Sequence, residues 1–324
     1  MSIADVIDHV IEAPIITSFT NIGYDLRSRL HHWQPLDSFD MTGRTVIVTG
    51  ATSGLGRHAA QRFAEIGATV ILSGRNKDKT ERVRDEICRA TGSTSLDVAI
   101  ADMSNLDQVR GFADTVRSRY QQIDVLMHNA GALNAERHTN AEGVEATVAS
   151  QVLGPFLLTT LLLGPLGRCA PGRVVTVSSG GMYATGLTVS ELQMSENDYR
   201  GSEQYARAKR AQVTLNEMWA ERTDPAEVVF HAMHPGWANT PGVAASLPTF
   251  HKITGPFLRS VEQGADTMVW LGAADEPGVS TGGFWLDRRR RSIHKLPSTR
   301  RTDTPERRAA LWQWCVDQTA AQLG

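Results

Sequence analysis

Two residues four positions apart, Tyr205 and Lys209, could carry acid–base chemistry together. The pattern over residues 203–222 predicts a helix, and residues spaced by four lie on one helix face. A phenol with a pKa of about 10 is a poor acid at neutral pH unless a nearby cation stabilises the phenolate. Lys209 would supply that cation. Because such a pair also arises by chance, it needs support from other residues.

Two hydroxyls lie upstream, where the β-branched run 174–177 ends in Ser178 and Ser179. The run predicts a buried strand, and a hydroxyl at its carboxyl end could donate a hydrogen bond to a substrate carbonyl. An ordinary serine-rich strand end is the alternative. Neither serine lies in a G-x-S-x-G elbow, so a serine nucleophile is not indicated.

The glycine-rich stretch 49–56 follows a strand-like run and precedes a helix-like one. This junction brings backbone N–H groups and the positive end of a helix dipole together, which favours a phosphate or pyrophosphate. Gly50 would permit the tight turn, Gly54 would leave room for phosphates, and Gly56 would let the helix pack on the strand. A plain turn between strand and helix is the alternative.

The second strand-like run leads into Ser73, Arg75 and Asn76, where a dinucleotide fold meets the adenosine ribose. A carboxylate there would select NAD, and none is present. Arg75 offers a cation to a 2′-phosphate, and Ser73 could donate to it. We therefore favour NADP(H) as the cofactor, with NAD(H) as the alternative. Arg75 could also be an ordinary surface arginine with no role in binding.

Strand-like and helix-like runs alternate along most of the chain. The strand-like runs are 45–50, 69–73, 95–101, 123–128, 173–178, 228–233 and 283–286. The helix-like runs are 54–66, 77–90, 105–119, 141–163, 203–222 and 260–273. Apolar strands separated by amphipathic helices predict a parallel sheet covered on both faces, here a doubly wound, Rossmann-type α/β domain. Ligands bind such a sheet at the carboxyl ends of its strands.

The predicted sheet domain spans residues 43–287, between a helical lead-in over 1–42 and an extension over 288–324 that ends in a helix. The basic run that opens the extension, 288–291, could touch phosphate, but we favour a solvated turn. Residues 3–12 carry an apolar stripe opposite an acidic face. Anionic lipid would repel that face, so we expect this helix to pack on the body or on a partner subunit rather than on a membrane.

Bulk composition narrows the partners. The chain has 324 residues, 41% of them hydrophobic, and a formal charge of −2, which gives no reason to expect nucleic acid or an anionic membrane. Its three cysteines are far apart, so neither a disulfide framework nor a metal site is indicated, and a reducing cytoplasm fits. We see no secretory signal and expect no membrane-spanning helix.

Five motifs occur together in the order found in short-chain dehydrogenases/reductases. They are the glycine stretch 49–56, Asn129-Ala130-Gly131, Ser179, the Tyr205–Lys209 pair, and residues 235–240. Over about residues 43–286 the chain resembles that family. Finer features at 178–182, 234–243, 264–268 and 287–297 are similar to one subgroup, the member 12-like oxidoreductases.

The resemblance implies a role for each matching residue. Tyr205 would protonate the carbonyl oxygen as hydride arrives, Lys209 would lower its pKa and bind the nicotinamide ribose, and Ser179 would orient the carbonyl. Residues of the phosphate-binding loop would be Gly50, Ser53, Gly54, Leu55 and Gly56. The adenosine side would be held by Arg75, Asn76, Asp102, Met103, Asn129, Ala130 and Gly131. The nicotinamide side would be held by Pro235, Gly236, Ala238 and Thr240.

Two positions depart from the family pattern. His128 replaces the first Asn of Asn-Asn-Ala-Gly, a change that the fold should tolerate. Gln151 replaces an Asn, three residues before Gly154, that holds a water in the family's proton relay. Because Gln carries the same amide one methylene further out, we predict reduced rather than absent turnover. Gln151→Asn would then raise turnover.

The segment at about 240–260 contains three prolines and two glycines, which predicts a lid over the substrate. The expected pocket wall comprises Met182, Tyr183, Val243, Leu247, Phe250, Phe257 and Leu258. These apolar residues, and the lack of an Arg or Lys cluster at 241–251, favour a lipophilic carbonyl or alcohol over a polyanion. Core packing would explain the same residues.

We therefore predict an NADP(H)-dependent oxidoreductase that interconverts a lipophilic ketone or aldehyde and its alcohol. The alternative is a cofactor-binding protein with weak or lost catalysis, in redox sensing or scaffolding. Nucleoside-diphosphate-sugar chemistry is disfavoured, because those enzymes usually have a longer second domain. Relatives usually associate through the long helices, so a homo-oligomer through 141–163 and 203–222 is a further hypothesis.

Overall fold

The computed structural model describes residues 3–12, 15–168, 171–246 and 248–321. Its strands are β1 Thr45–Thr49, β2 Thr69–Gly74, β3 Leu96–Ile100, β4 Val125–His128, β5 Gly172–Val177, β6 Val228–Met233, β7 Gly283–Leu286 and β8 Arg289–Arg290. They form one sheet in the order β3-β2-β1-β4-β5-β6-β7-β8. All neighbours are parallel except β7 and β8, which are antiparallel. The predicted doubly wound α/β sheet is confirmed, and its strand order reverses between β1 and β4, where such sheets bind ligands.

Helices cover both faces of the sheet. The first ten are α1 Ile3–Glu12, α2 Ile15–Phe19, α3 Asn21–Leu30, α4 Gly54–Glu65, α5 Lys77–Thr91, α6 Leu106–Arg119, α7 Ala146–Val148, α8 Gly154–Leu166, α9 Gly201–Arg222 and α10 Pro241–Ser246. The others are α11 Pro248–Thr254, α12 Val261–Ala273, α13 Asp275–Gly278, α14 Pro297–Thr302 and α15 Pro305–Thr319. One core lies beneath α4, α5 and α12, and a second lies beneath α6, α8 and α9. Apolar faces of these helices and the β-branched strands between them exclude water from both cores.

The predicted helix 141–163 begins later than expected. Residues 139–145 form a turn in which the Asn140 side chain accepts from the Val144 amide and Gly143 has a φ of +78°. Glu145 then caps α7, and a π-helical turn over Ala149–Leu153 leads into α8. The stretch Ala146–Leu166 is long and apolar enough to cross a membrane, but 72% of its 18-residue apolar window is buried inside the fold, as is typical of a core helix.

The basic run is a solvated turn only in part, because Arg290 is exposed whereas Arg288 is buried. Asp287 and Arg288 have φ values of +56° and +53° and join β7 to β8 in a two-residue hairpin. Arg288 is 8% exposed, and its guanidinium forms two hydrogen bonds of 2.7 Å with Asp266. At Arg288 the prediction was wrong, because its acidic partner comes from α12, which the local charge pattern cannot indicate.

The N-terminal helix α1 packs on the body, as expected, but it buries the acidic Asp8 as well as Ile11 of the apolar stripe. Asp8 is 3% exposed and accepts from Arg27 at 2.7 Å and from Arg291 at 2.7 and 2.8 Å. Val10, on the apolar stripe, is 68% exposed. The charged face of a surface helix usually faces water. Here Asp8 faces inward because it pairs with arginines of the body, and a buried guanidinium without an acidic partner would be costly.

Candidate active site

The turn between β1 and α4 is shaped by its glycines. Gly50 has a φ of +66°, and a Cβ there would lie 2.8 Å from the Ala130 Cα. A Cβ at Gly56 would lie 2.3 Å from the Asn129 Nδ2 and 2.5 Å from the Gly50 carbonyl oxygen. Both glycines are therefore required by the close approach of the loop after β4.

That second loop is held against the first by Thr49 and Asn129. The Asn129 Nδ2 donates to the carbonyl oxygen of Thr49 at 2.9 Å and to that of Gly50 at 3.3 Å. The backbone N–H groups of Asn129 and Ala130 both donate to the Thr49 Oγ1 at 3.0 Å. The structure brings Asn129 and Ala130 against the glycine stretch 49–56. The role that the resemblance implies for Asn129, Ala130 and Gly131, holding the adenosine side of a cofactor, stays a prediction. The sequence predicts no role for Thr49, because nothing in its local pattern shows that its hydroxyl binds the loop after another strand.

The N-terminus of α4 can receive an anion. Ser53 precedes the helix and its side chain makes no capping hydrogen bond, so the N–H groups of the first turn, including Leu55, have no partner within the helix. Gly54 has a φ of +53° and faces Thr240, whose side chain would lie 3.5 Å from a Cβ at this glycine. Unpaired N–H groups at a glycine turn fit a dinucleotide pyrophosphate.

Residues at the carboxyl end of β2 differ in their surroundings. Arg75 is exposed at the sheet edge that meets the glycine loop. Ser73 is only 1% exposed, which speaks against the predicted hydrogen bond from its hydroxyl to a 2′-phosphate. The Asn76 side chain accepts from the Lys79 amide at 2.9 Å and so caps α5. Asn76 is therefore explained by helix capping, and Arg75 alone retains an open cationic group.

The predicted adenine residues follow β3. The Asp102 carboxylate accepts from the Ser104 amide and hydroxyl at 2.9 and 2.7 Å, which shapes the turn into α6. Met103 is 5% exposed, and a Cβ at Gly154 would lie 2.2 Å from its carbonyl oxygen. The two residues lie in one turn, with Met103 pinned against the start of α8.

Ser179, Tyr205 and Lys209 meet at the carboxyl end of β5. The Tyr205 hydroxyl hydrogen-bonds to Ser179, and both residues are partly exposed. The Lys209 Nζ lies 5.2 Å from the centre of the Tyr205 ring and donates to the Val177 carbonyl oxygen at 2.9 Å. The helix α9 places Tyr205 and Lys209 one turn apart, as the spacing predicts, and the strand end supplies the serine.

The pKa of Tyr205 differs from the expectation. Burial raises it to about 12, and the hydrogen bond with Ser179 opposes that rise only in part. Lys209 is itself buried, which lowers its pKa to about 7. Its amine donates to the Val177 carbonyl oxygen, and the groups that shift the pKa of Tyr205 do not include Lys209.

Gln151 is fully buried in the π-helical turn. The Gln151 Nε2 donates to the Ala132 carbonyl oxygen at 2.7 Å. The backbone carbonyl oxygen of Gln151 accepts from the Gln212 Nε2 at 2.7 Å. A Cβ at Gly131 would lie 2.9 Å from the Gln151 Oε1. Gln151 thus supports the loop after β4, and the described contacts of its side chain do not include Lys209.

The predicted nicotinamide loop follows β6. Gly236 has a φ of +76°, and Ala238 forms a parallel bridge with Arg259. The Thr240 Oγ1 accepts from the Val243 amide at 3.2 Å and so begins α10, while Pro235 offers its carbonyl oxygen to Arg259 at 3.3 Å. Sequence reasoning missed Arg259, which joins this loop to the rest of the fold.

The expected pocket wall is only partly correct. Met182 and Tyr183 are 0% and 7% exposed and pack in a small core with Phe19. Phe19 belongs to the helical lead-in over residues 1–42, called the N-terminal segment below, which covers them. Leu258 is also buried at 6%, whereas Phe257 is 50% exposed. The lid segment forms the short helices α10 and α11. Val243 is partly exposed on α10, Leu247 lies outside the described residues, and so does the side chain of Phe250.

Known proteins of similar sequence and structure identify the family. The family model described as short chain dehydrogenase matches residues 44–249. Human dehydrogenase/reductase SDR family member 12 is 37% identical over 292 residues, covering 90% of each chain. Mouse retinol dehydrogenase 14 is 34% identical over 259 residues, covering 74% of this chain and 77% of that protein.

Two solved structures share the fold. A protein of Mycobacterium paratuberculosis superposes with a TM-score of 0.70 and 25% identity, covering 90% of this chain and 99% of that one. A chain from Shigella flexneri, determined in complex with NADP, gives a TM-score of 0.62 and 26% identity, covering 77% and 98%. The family match spans well over half of the sequence. The chain therefore belongs to the short-chain dehydrogenase/reductase family, similar to member 12, and is an oxidoreductase of the kind that interconverts alcohols and carbonyl compounds.

Proposed function

We propose that the protein is an NADP(H)-dependent oxidoreductase that reduces lipophilic ketones or aldehydes, or oxidises the matching alcohols, with Tyr205 as the general acid. The observation that carries the proposal is the hydrogen bond between Tyr205 and Ser179 beside Lys209, at the sheet edge that also presents the glycine loop. A carbonyl oxygen placed between the two hydroxyls would meet a donor on each side.

Proton transfer follows from the surroundings of Tyr205. A pKa of about 12 keeps the phenol protonated at neutral pH, so it holds the proton that a reduced carbonyl oxygen must receive. Ser179 orients that oxygen and stabilises its developing charge. NADPH, when bound, supplies the hydride. In the oxidising direction Tyr205 must first lose its proton, so the raised pKa of its phenol favours reduction at neutral pH.

Arg75 supports NADP(H) over NAD(H). Its guanidinium is exposed beside the glycine loop, and the residues from Ser73 to Asn76 contain no carboxylate. A 2′-phosphate would gain a charge-assisted hydrogen bond there, worth about 1.5–3 kcal/mol. Titration calorimetry with NADPH and NADH tests this point. Arg75→Ala should weaken NADPH binding about tenfold or more and leave NADH binding unchanged, with exposed Arg82→Ala on α5 as the matched control.

The substrate class rests on the lid. Phe257 is 50% exposed beside α11, and the described lid residues include one lysine, Lys252, and no arginine before Arg259. An apolar rim of this kind suits a lipophilic substrate better than a polyanion. NADPH oxidation in the presence of decanal and of a charged sugar phosphate would compare the two classes.

The catalytic role of Tyr205 is tested by Tyr205→Phe. The variant should bind NADPH with unchanged affinity and lose decanal reduction by about a hundredfold or more. Wild-type protein that binds NADPH but reduces none of the apolar carbonyls would instead support the cofactor-binding alternative. That alternative is favoured by one observation, the commitment of the Gln151 side chain to Ala132. Gln151→Asn with no gain in turnover would count against an impaired relay.

A further inference from the structure

The N-terminal segment lies outside the region matched by the family model, residues 44–249, yet it reaches the candidate active site. Phe19, the last residue of α2, is 3% exposed. Its ring meets the His234 ring edge-on at 4.4 Å and the Trp237 ring at 5.9 Å. Its carbonyl oxygen accepts from the Trp237 amide at 2.7 Å. Phe19 therefore touches the predicted nicotinamide loop through both its ring and its backbone.

The same ring also supports the residue after Ser179. A Cβ at Gly180 would lie 2.7 Å from the Phe19 Cε2 and 2.8 Å from the His234 Nε2. The Gly180 amide donates to the His234 Nδ1 at 3.1 Å, and burial lowers the pKa of His234 to about 3, so this nitrogen remains a neutral acceptor. Phe19 thus lies between the loop that follows Ser179 and the predicted nicotinamide loop, residues 235–240. Displacement of its ring would affect both loops.

A buried ionic cluster fixes this segment to the fold. Arg259 donates to the carbonyl oxygens of Ser18 and Thr20 at 3.0 and 3.2 Å, and to Asp287 at 2.5 and 2.8 Å. Arg27 donates to the Ser18 carbonyl oxygen at 2.9 Å and to Asp287 at 2.6 Å. Both arginines and Asp287 are at most 1% exposed. Two cations that share one buried carboxylate and the same carbonyl hold the chain on either side of Phe19 in one geometry.

The cluster also lies directly beneath the nicotinamide loop. A Cβ at Gly236 would lie 2.2 Å from the Arg259 Nε, and the Arg259 Nη1 donates to the Pro235 carbonyl oxygen. The position of this loop is therefore set by a guanidinium that the N-terminal segment helps to hold. The glycine loop and Arg75 lie at the other half of the predicted cofactor site.

We infer that Phe19 is a positioning residue, through which the N-terminal segment sets the distance between Ser179 and the nicotinamide loop. This inference rests on the proposed function. It requires turnover to depend on Phe19 while NADPH affinity, which comes mainly from the phosphate and adenosine contacts, does not. Substrate and cofactor that are misaligned by about 1 Å can lose about a hundredfold in rate.

The test compares Phe19→Leu and Phe19→Ala with Phe112→Leu, a change at a phenylalanine of α6 that is 2% exposed and lies in a different core. Thermal unfolding, NADPH binding and decanal reduction are measured for each variant, with kinetics well below its unfolding temperature. Phe19→Ala should lower kcat by about 10–100-fold with NADPH affinity nearly unchanged, and Phe19→Leu should recover part of the loss. Phe112→Leu should lose stability and keep kcat.

Two outcomes of the kinetic comparison would overturn the inference. One is a Phe19→Ala variant that keeps the wild-type kcat, and the other is a loss that Phe112→Leu reproduces at equal stability. Wild-type protein without turnover would refute the proposed function instead. Amide hydrogen exchange then tests the contact itself, since Phe19→Ala, unlike Phe112→Leu, should speed exchange around Gly180 and Trp237, and unchanged exchange there would refute the role of Phe19.

Discussion

Gly56→Ala is the substitution whose effect follows most directly from the geometry of the nucleotide loop, the glycine-rich stretch 49–56. The added methyl group would lie 2.3 Å from the Asn129 Nδ2 and 2.5 Å from the Gly50 carbonyl oxygen, so the Asn129 amide must move away. That movement breaks its hydrogen bonds of 2.9 and 3.3 Å to the carbonyl oxygens of Thr49 and Gly50. The loops that follow β1 and β4 would then separate.

The expected magnitude comes from those two bonds. Each is worth about 1 kcal/mol net, and more if a carbonyl oxygen is left without a donor, so the loop loses about 2–4 kcal/mol. If this loss falls on the bound geometry of the nucleotide loop, NADPH affinity decreases by about 30-fold or more. Alanine is also a better helix former than glycine by about 1 kcal/mol, which offsets part of the loss in stability but none of the loss in binding.

The assay is titration calorimetry with NADPH, together with thermal unfolding. Gly111→Ala is the matched control, because Gly111 is exposed in α6 and a Cβ there would have no other atom within 4 Å. We expect this control to raise the free energy of unfolding by about 0.5–1 kcal/mol and to leave NADPH binding unchanged. A Gly56→Ala protein that binds NADPH as tightly as the wild type would refute the packing argument.

Three further predictions concern other parts of the chain. Burial raises the pKa of Tyr205 to about 12, so the rate of alcohol oxidation should rise about tenfold per pH unit between about pH 7 and 9. An oxidation rate that is flat in this range would contradict the assignment of Tyr205 as the general acid. Asn76→Ala should lower the free energy of unfolding by about 1 kcal/mol without changing NADPH affinity, since its side chain caps α5, and a weakened affinity in calorimetry would show a cofactor contact. Asp266→Ala should lower the free energy of unfolding, measured in urea titrations, by about 3–5 kcal/mol, because it leaves the Arg288 guanidinium buried without its acidic partner. A change below about 1 kcal/mol would mean that water reaches this ion pair.

The parts of the structure that were predictable are those set by neighbours in sequence. The strand 45–49 is recognisable because β-branched residues favour extended backbone, and Tyr205 and Lys209 share a face because a helix repeats every 3.6 residues. The glycines were informative because Gly50 needs a positive φ, which few other residues adopt. Local sterics and periodicity are properties of short segments, so they can be inferred before the fold is known.

The parts that were not predictable depend on partners distant in sequence. Met182 and Tyr183 are apolar, and their sequence could not show whether substrate or Phe19 would cover them. Arg27 and Asp287 are 260 positions apart, and nothing near either one predicts that it is buried in an ion pair. The exposed-charge interpretation of the run 288–291 failed at Arg288 and Arg291 for the same reason, since their acidic partners Asp266 and Asp8 are distant in sequence.

The amino-acid sequence by itself determined the doubly wound sheet, the family and the residues that can do chemistry, because patterning, glycine conformation and spacing act locally. Tertiary structure alone decided what surrounds those residues. It partly buried Tyr205 and so raised its pKa, placed Gln151 against the Ala132 carbonyl, and placed Phe19 between the two loops of the site. Burial, desolvation and hydrogen-bond partners depend on which segments meet in space, and a linear sequence does not specify those meetings.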